Sequence, residues 1–254
     1  MENYLKQDFI VTPSFSDPEG KLSVVSTFYL FMDMAAMQAD RMGLGYWHFH
    51  SRHLFWLTVK THLHFYRRPL MEEKVTVETW PEEAHNLRCD RDYRIKAGNE
   101  VLVEGKTEWA VLNYDTGRLE MCNDLYGKDF TSYDERVLAG PFERIKEDFS
   151  GCTKAGTYIV QSTDIDVGGH MNNSAYLRAA ASLFSTDIWK GHDIEDIQVL
   201  FRTPCYEGDQ LTMWERDIDN GCQFKLALPG KGQTESCGGK EDTTVVLISC
   251  TFRK

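Results

Sequence analysis

The chain repeats itself, and this limits the folds open to it more than any other feature. FYLFMDMAA (28–36) resembles AYLRAAASL (175–183), and RRPLMEEKVTVETW (67–80) resembles RTPCYEGDQLTMW (202–214) with one gap. Each pair falls at the same place in a recurring order, a helix-forming stretch followed by several strand-forming ones. A repeat of this length describes two copies of one folding unit rather than a solenoid, and 254 residues give room for two.

In the first copy, residues 23–42 are predicted as a helix. Val24, Phe28, Phe31, Met32, Ala35 and Ala39 recur at three- and four-residue intervals, and Gly43 is placed to cap the end. Residues 54–66 read as a long strand, with Phe55, Leu57, Val59, Leu63 and Phe65 on one face and Lys60, His62 and His64 on the other. Strands at 75–80, 90–95 and 101–113 follow, and a short extended run at 9–12 precedes the helix. The second copy reads as a strand at 156–162, a helix at 173–189, and strands at 194–202, 210–217, 223–228 and 243–253, with a glycine-rich connection at 230–242. The expected fold class is α+β: two tandem units, each a curved antiparallel sheet wrapped around a long helix. The expected boundaries are 1–125 and 151–254, joined by a polar linker at 126–150.

Composition narrows the function classes. A net charge of −11 argues against general nucleic-acid binding. No run of about 18 apolar residues is present, so no membrane insertion is expected. The N-terminal MENYLKQDFIV lacks the basic-then-apolar order of a signal peptide. Seven cysteines without a CxxC pair suit reduced thiols in a cytoplasmic protein. No metal-ligand spacing is seen, and neither a metal nor a cofactor is expected.

Chemistry concentrates in QSTDIDVGGHMNNSAYLR (161–178). Asp164, Asp166 and His170 lie within seven positions, Gly168 and Gly169 allow a sharp turn between them, and Asn172 and Asn173 can cap the following helix. An acid, a base and a helix N-terminus are thereby brought together, a set that can activate water and stabilise an oxyanion. Caps and loop glycines are common, so the residues alone leave a purely structural loop open.

The segment D-x-D-V-G-G-H-M-N-N-S-x-Y-L resembles the active-site segment of hotdog-fold thioesterases, D-x-[DN]-x-x-x-H-[VM]-N-N-x-x-Y. The whole chain resembles the acyl-ACP thioesterase family of bacterial type, related to the plant fatty acyl-ACP thioesterases. MAAMQADRMGLG (34–45), RDYRI (91–95), EWAVLN (108–113) and YEGDQL (206–211) carry the similarity beyond the motif. The resemblance implies a double hotdog that hydrolyses fatty acyl-ACP to free fatty acid and acyl carrier protein in fatty acid biosynthesis. It matches Asp166, His170 and the paired asparagines Asn172 and Asn173, and it matches Cys205 at the next strand. The catalytic set so implied is Asp166, His170, Asn172 and Cys205, with Asn173, Phe31, Met34 and Trp56 toward the substrate. Phe31, Met34 and Trp56 would line an acyl tunnel in the N-terminal unit. Two departures stand out, because the family's asparagine falls on Gly168 and its glutamate on Pro204. The implied partner is acyl carrier protein, and a homodimer is left open. Other readings are an acyl-CoA thioesterase, a non-catalytic acyl-binding hotdog protein and, less favoured, a hotdog enoyl hydratase. Because carrier proteins are acidic, docking on this acidic chain calls for a local basic patch. The candidates are Arg67 with Arg68; Arg88, Arg91 and Arg94; and Arg136, Arg144 and Lys146.

Overall fold

The computed structural model describes residues 3–123, 125–230 and 242–253. Most of the expected glycine-rich connection at 230–242 lies outside them. The chain divides into two compact units, Met1–Pro141 and Phe142–Lys254.

In the first unit, strand β1 (Leu5–Ile10) precedes helix α1 (Val24–Arg41) and a short helix α2 (Tyr46–His50). Strands β2 (Leu54–Phe65), β3 (Lys74–Pro81), β4 (Cys89–Ala97) and β5 (Glu100–Asn113) follow, with a two-residue strand β6 (Arg118–Leu119) on β5. The strands are antiparallel in the order β1-β3-β4-β5-β2. Ser23 starts α1 by accepting the Ser26 N–H at 3.0 Å. Gly43, one residue past the helix cap, turns the chain at φ +71°.

The second unit has strand β7 (Thr153–Ile159), helices α3 (Asn173–Ala181) and α4 (Thr186–Gly191), and strands β8 (Ile194–Phe201), β9 (Gln210–Ile218), β10 (Gly221–Leu228) and β11 (Thr243–Phe252). Their order is β7-β9-β10-β11-β8. In both units, therefore, the order is first, third, fourth, fifth, second strand, with the helix between the first and second. Two copies of one antiparallel, helix-bearing unit are the α+β hotdog arrangement that the repeat predicts.

The structure corrects two details. The second helix is broken in two. Ser182 ends α3 and turns its hydroxyl onto the Ala179 carbonyl at 2.7 Å, while Ser185 caps α4. Serines here compete with the helix for its backbone groups. The faces of β2 also exchange partway along. A bulge between Thr58 and Lys60 shifts the register on β5. Before it the inward residues are Leu54, Trp56 and Thr58; after it they are Thr61, Leu63 and Phe65. One extra residue reverses the parity, so Phe55 and Leu57 do not share a face with Leu63.

The polar stretch expected as a linker, 126–150, is divided between the two units and pinned within each. Glu135 accepts the Trp80 indole at 2.9 Å, and Arg136 pairs with Glu82 at 3.0 Å. On the second unit, Gln198 accepts the Glu143 N–H at 2.8 Å, and Ile145 and Phe149 pack on Leu247.

Candidate active site

The motif occupies a turn between β7 and α3, and its hydrogen bonds divide the two aspartates by task. Asp164 is buried and fully engaged. It accepts from the Tyr158 hydroxyl at 2.8 Å, from the Gln161 N–H at 2.9 Å, and from Arg178 in an ion pair. Its carbonyl also accepts the Asn172 N–H at 2.7 Å. Asp164 thus ties the loop to β7 and to α3 two turns on, which makes it an anchor.

Asp166 is only half-buried and lies on the loop itself. Its Oδ1 accepts the Gly168 N–H at 2.8 Å, and its own N–H donates to the His170 carbonyl at 3.0 Å. Gly169 supplies the turn at φ +76°. Burial raises the Asp166 carboxyl above its ordinary value; the Gly168 N–H and the field of His170 pull it back only in part. The His170 ring stands 5.3 Å from that of Tyr206, centroid to centroid. An imidazole and a carboxylate of raised basicity on one turn can together take a proton from water.

The remaining expected site residues separate. Asn172 is the N-cap of α3, its Oδ1 accepting the Ser174 N–H at 2.8 Å, and Asn173 is the first helical residue. With the Asn172, Ser174 and Ala175 amides already bonded within the loop, the helix end offers an oxyanion less than the sequence alone implies. Cys205 is fully buried; its N–H donates to the Tyr176 hydroxyl at 3.0 Å and its carbonyl accepts from Met171. These contacts, made by the Cys205 backbone, hold the loop, and the thiol lies enclosed beside them. Tyr176, which the sequence reading did not single out, joins the set. Burial first, then Cys205 and, more weakly, Asp166 raise its hydroxyl's pKa. Among the described residues, no three His, Cys, Asp or Glu side chains gather closely enough to hold a metal ion.

Phe31, Met34 and Trp56 belong to the first unit. Phe31 and Met34 are buried on α1, and Phe31 stacks on Tyr93 at 4.7 Å. Trp56 stacks on Phe49 at 4.9 Å and donates to the Leu44 carbonyl.

The first unit carries the same loop with other residues. A short 3-10 turn, Pro13–Phe15, matches Ser162–Asp164. Isolated bridges join Ser16 to Leu22 and Ile165 to Met171. Asp17 N–H donates to the Lys21 carbonyl at 2.8 Å, as Asp166 does to His170, and Gly20 returns to Asp17 as Gly169 does to Asp166. Glu19 N–H bonds Asp17 Oδ1 as Gly168 bonds Asp166. Asp17 and Lys21 therefore stand where Asp166 and His170 stand. Here Arg68, itself buried, pairs with Asp17 and Glu19, so this carboxylate faces a buried guanidinium. The shared pattern D-x-x-G, basic, apolar (17–22 and 166–171) was present in the sequence and could have revealed it.

Comparison with known proteins finds a family match in each half of the chain. The acyl-ACP thioesterase N-terminal domain matches residues 2–128, and the acyl-ACP thioesterase C-terminal domain matches residues 151–242. An oleoyl-acyl carrier protein thioesterase of Coriandrum sativum, chloroplastic, is 28% identical over 182 residues, covering 66% of this chain and 49% of that protein. A second, from Arabidopsis thaliana, is 26% identical over 169 residues, covering 62% and 46%. The chain thus spans about half the length of the plant relatives it matches. Among solved structures, an acyl-ACP thioesterase from Bacteroides thetaiotaomicron superposes with a TM-score of 0.84 at 20% identity, covering 99% of this chain and 98% of that one. The 12:0-ACP thioesterase from Umbellularia californica superposes with a TM-score of 0.77 at 17% identity, covering 100% and 98%. Likeness at this identity speaks for the fold; the matches along both halves speak for descent, and the chain belongs to the acyl-ACP thioesterase family.

Proposed function

We propose that this chain hydrolyses fatty acyl thioesters of acyl carrier protein, releasing free fatty acid and the carrier's thiol. The observation that carries the reading is Asp166, half-buried and raised in basicity, on the same turn as His170 in a chain of this family. A thioester is already activated, so the chemistry needs a nucleophile and a place for charge. Water, deprotonated by His170 with Asp166 orienting it, adds to the carbonyl carbon. The carbon–sulfur bond then breaks, and the thiolate recovers the proton from the imidazolium. Cys205 takes no covalent part, and Asn172 acts by setting the start of α3. Phe31, Met34 and Trp56 are offered as lining for the acyl chain in the first unit, and Asn173, in the second, as a substrate contact.

The carrier is met by exposed basic side chains. Arg67 is held by Glu73 and Glu100, Arg68 by Asp17 and Glu19, Arg88 by Glu108, Arg94 by Glu104 and Glu135, and Arg136 by Glu82. Arg144 and Lys146, in the same unit as the catalytic turn, are exposed and, among the described residues, carry no such ion pair, which favours them for an acidic partner. Cys89, Cys122, Cys152, Cys205, Cys222 and Cys250 are free thiols, which suits a cytoplasmic setting. Among the described residues, no helix is long and apolar enough to cross a membrane. The test is fatty-acid release from matched acyl-ACP and acyl-CoA. Faster release from acyl-ACP is expected; equal or greater release from acyl-CoA would assign the carrier wrongly, and binding without release would make the chain an acyl-binding protein.

A further inference from the structure

The inner face of the first unit's sheet, against α1, is not uniformly apolar. Strand register sets Pro81, Arg91, Thr107 and Thr61 in one row across β3, β4, β5 and β2, and Thr79, Tyr93, Gly105 and Leu63 in the next; Cys89 and Trp109 pair beside them. Directly paired residues share a face, as do alternate residues on a strand. Arg91, Tyr93, Thr107 and Thr61 are at most 6% exposed. Arg91 donates through Nη1 to Gln38 of α1 and to Thr79 Oγ1, and neither carries charge. Among the described residues no carboxylate forms an ion pair with it. Beside it, Tyr93 Oη, Thr107 Oγ1, Thr61 Oγ1 and Trp109 Nε1 are buried without a hydrogen-bond partner.

A buried polar group left unpaired is costly, and a buried charge more so. Here a cation and four groups able to donate lie on one face. Burial raises the Tyr93 hydroxyl to about 12, while Arg91, Thr107 and Trp109 all pull it down. Strand register sets Thr107 directly opposite Arg91, and Trp109 and Gly105 to either side of Thr107 on the same face, next to Tyr93. What the set lacks is a negatively charged acceptor. Phe31, stacked on the Tyr93 ring, supplies an apolar neighbour for a hydrocarbon chain.

We propose that this row is a subsite for a carboxylate, held by Arg91 with Tyr93, Thr107 and Trp109 as donors. The carboxylate has two sources: the far end of an acyl chain that terminates in a second acid, or a free fatty acid. The first source rests on the reading of this unit as the acyl-binding one.

The test is calorimetric titration of the whole protein with decanoate, decanedioate and methyl decanoate. At least one acid should bind, and the methyl ester at least about tenfold more weakly, as loss of a charge-assisted bond requires. Arg91→Gln should lose the same factor. Thr107→Val keeps shape and the arginine, and guards against a misfolded Arg91 variant. It should weaken binding, whereas a hydroxyl with no ligand to serve would leave affinity unchanged and raise Tm. That result, equal binding of the ester, or no binding of either acid would overturn the proposal. Pantetheine thioesters separate the sources. A preference of about tenfold or more for the decanedioyl half-acid over decanoyl marks the chain end; decanoate binding without that preference marks the free acid. Carboxylate binding without any hydrolysis would sink the proposed activity and leave the subsite standing; hydrolysis without carboxylate binding would do the reverse.

Discussion

Replacing Asp164 by asparagine should separate holding the loop from doing its chemistry. Asparagine keeps the size and one acceptor but loses the charge that Arg178 meets, and it turns an amide toward donors. The Asp164 side chain is 1% exposed and that of Arg178 46%, so the guanidinium that loses Asp164 is within reach of water. The cost therefore falls near the lower end of the range for broken buried ion pairs, about 3 kcal/mol. Over a chain of this size that lowers Tm by roughly 6–12 °C. The assay is thermal unfolding by circular dichroism beside kcat measured well below the lowered Tm. Stability should fall by that amount, and kcat should fall far less than in an Asp166 variant. An unchanged Tm with kcat down by about 10²–10⁴, the range for a positioned proton-transfer group, would refute the anchor and make Asp164 a chemical participant.

Three further outcomes follow from the same geometry. Asp166→Asn should abolish most turnover yet stabilise the fold at neutral pH. The native carboxyl's raised pKa means that ionising it opposes folding: that cost is absent below the unfolded carboxylate value of about 4 and complete once pH passes the folded value. The gain in Tm should therefore vanish in acid, and a gain independent of pH would contradict it. Cys205→Ser should leave kcat within about tenfold, less than the loss of a proton-transfer group; complete loss with a retained fold would restore the thiol to the mechanism. Reversing Arg144 and Lys146 to glutamate should raise KM for acyl-ACP in low salt, with the effect shrinking as salt is added. An equal rise for a short acyl-pantetheine would show that the pair does not serve the carrier.

The sequence carried the architecture because period and order survive divergence. The helix at 24–41 and the strands that follow were visible in spacing alone. The bulge at Thr58–Lys60 was not, because one inserted residue leaves the apolar content of β2 unchanged while reversing its faces. The break between α3 and α4 rests on Ser182 and Ser185, whose hydroxyls take up backbone groups at the junction, and apolar periodicity does not register such contacts. At the candidate site, the motif points to Asp166 and His170. It could not rank the two aspartates, since Asp164 is distinguished only by Tyr158 and Arg178, which reach it from β7 and from α3. Nor could it show that Cys205 is enclosed, because burial depends on what packs around the strand end.

The central claim is that water, activated at Asp166 and His170, is the nucleophile. A single turnover of acyl-ACP in water enriched in oxygen-18, with enzyme in excess and both protein and product read by mass spectrometry, tests it most directly. The account predicts one heavy oxygen in the fatty acid of the first turnover, no acyl adduct on the protein at any time, and a rate in His170→Ala lower by about 10²–10⁴. An unlabelled first-turnover product, which would draw its oxygen from a carboxylate, or an acyl group retained on Cys205 would contradict it.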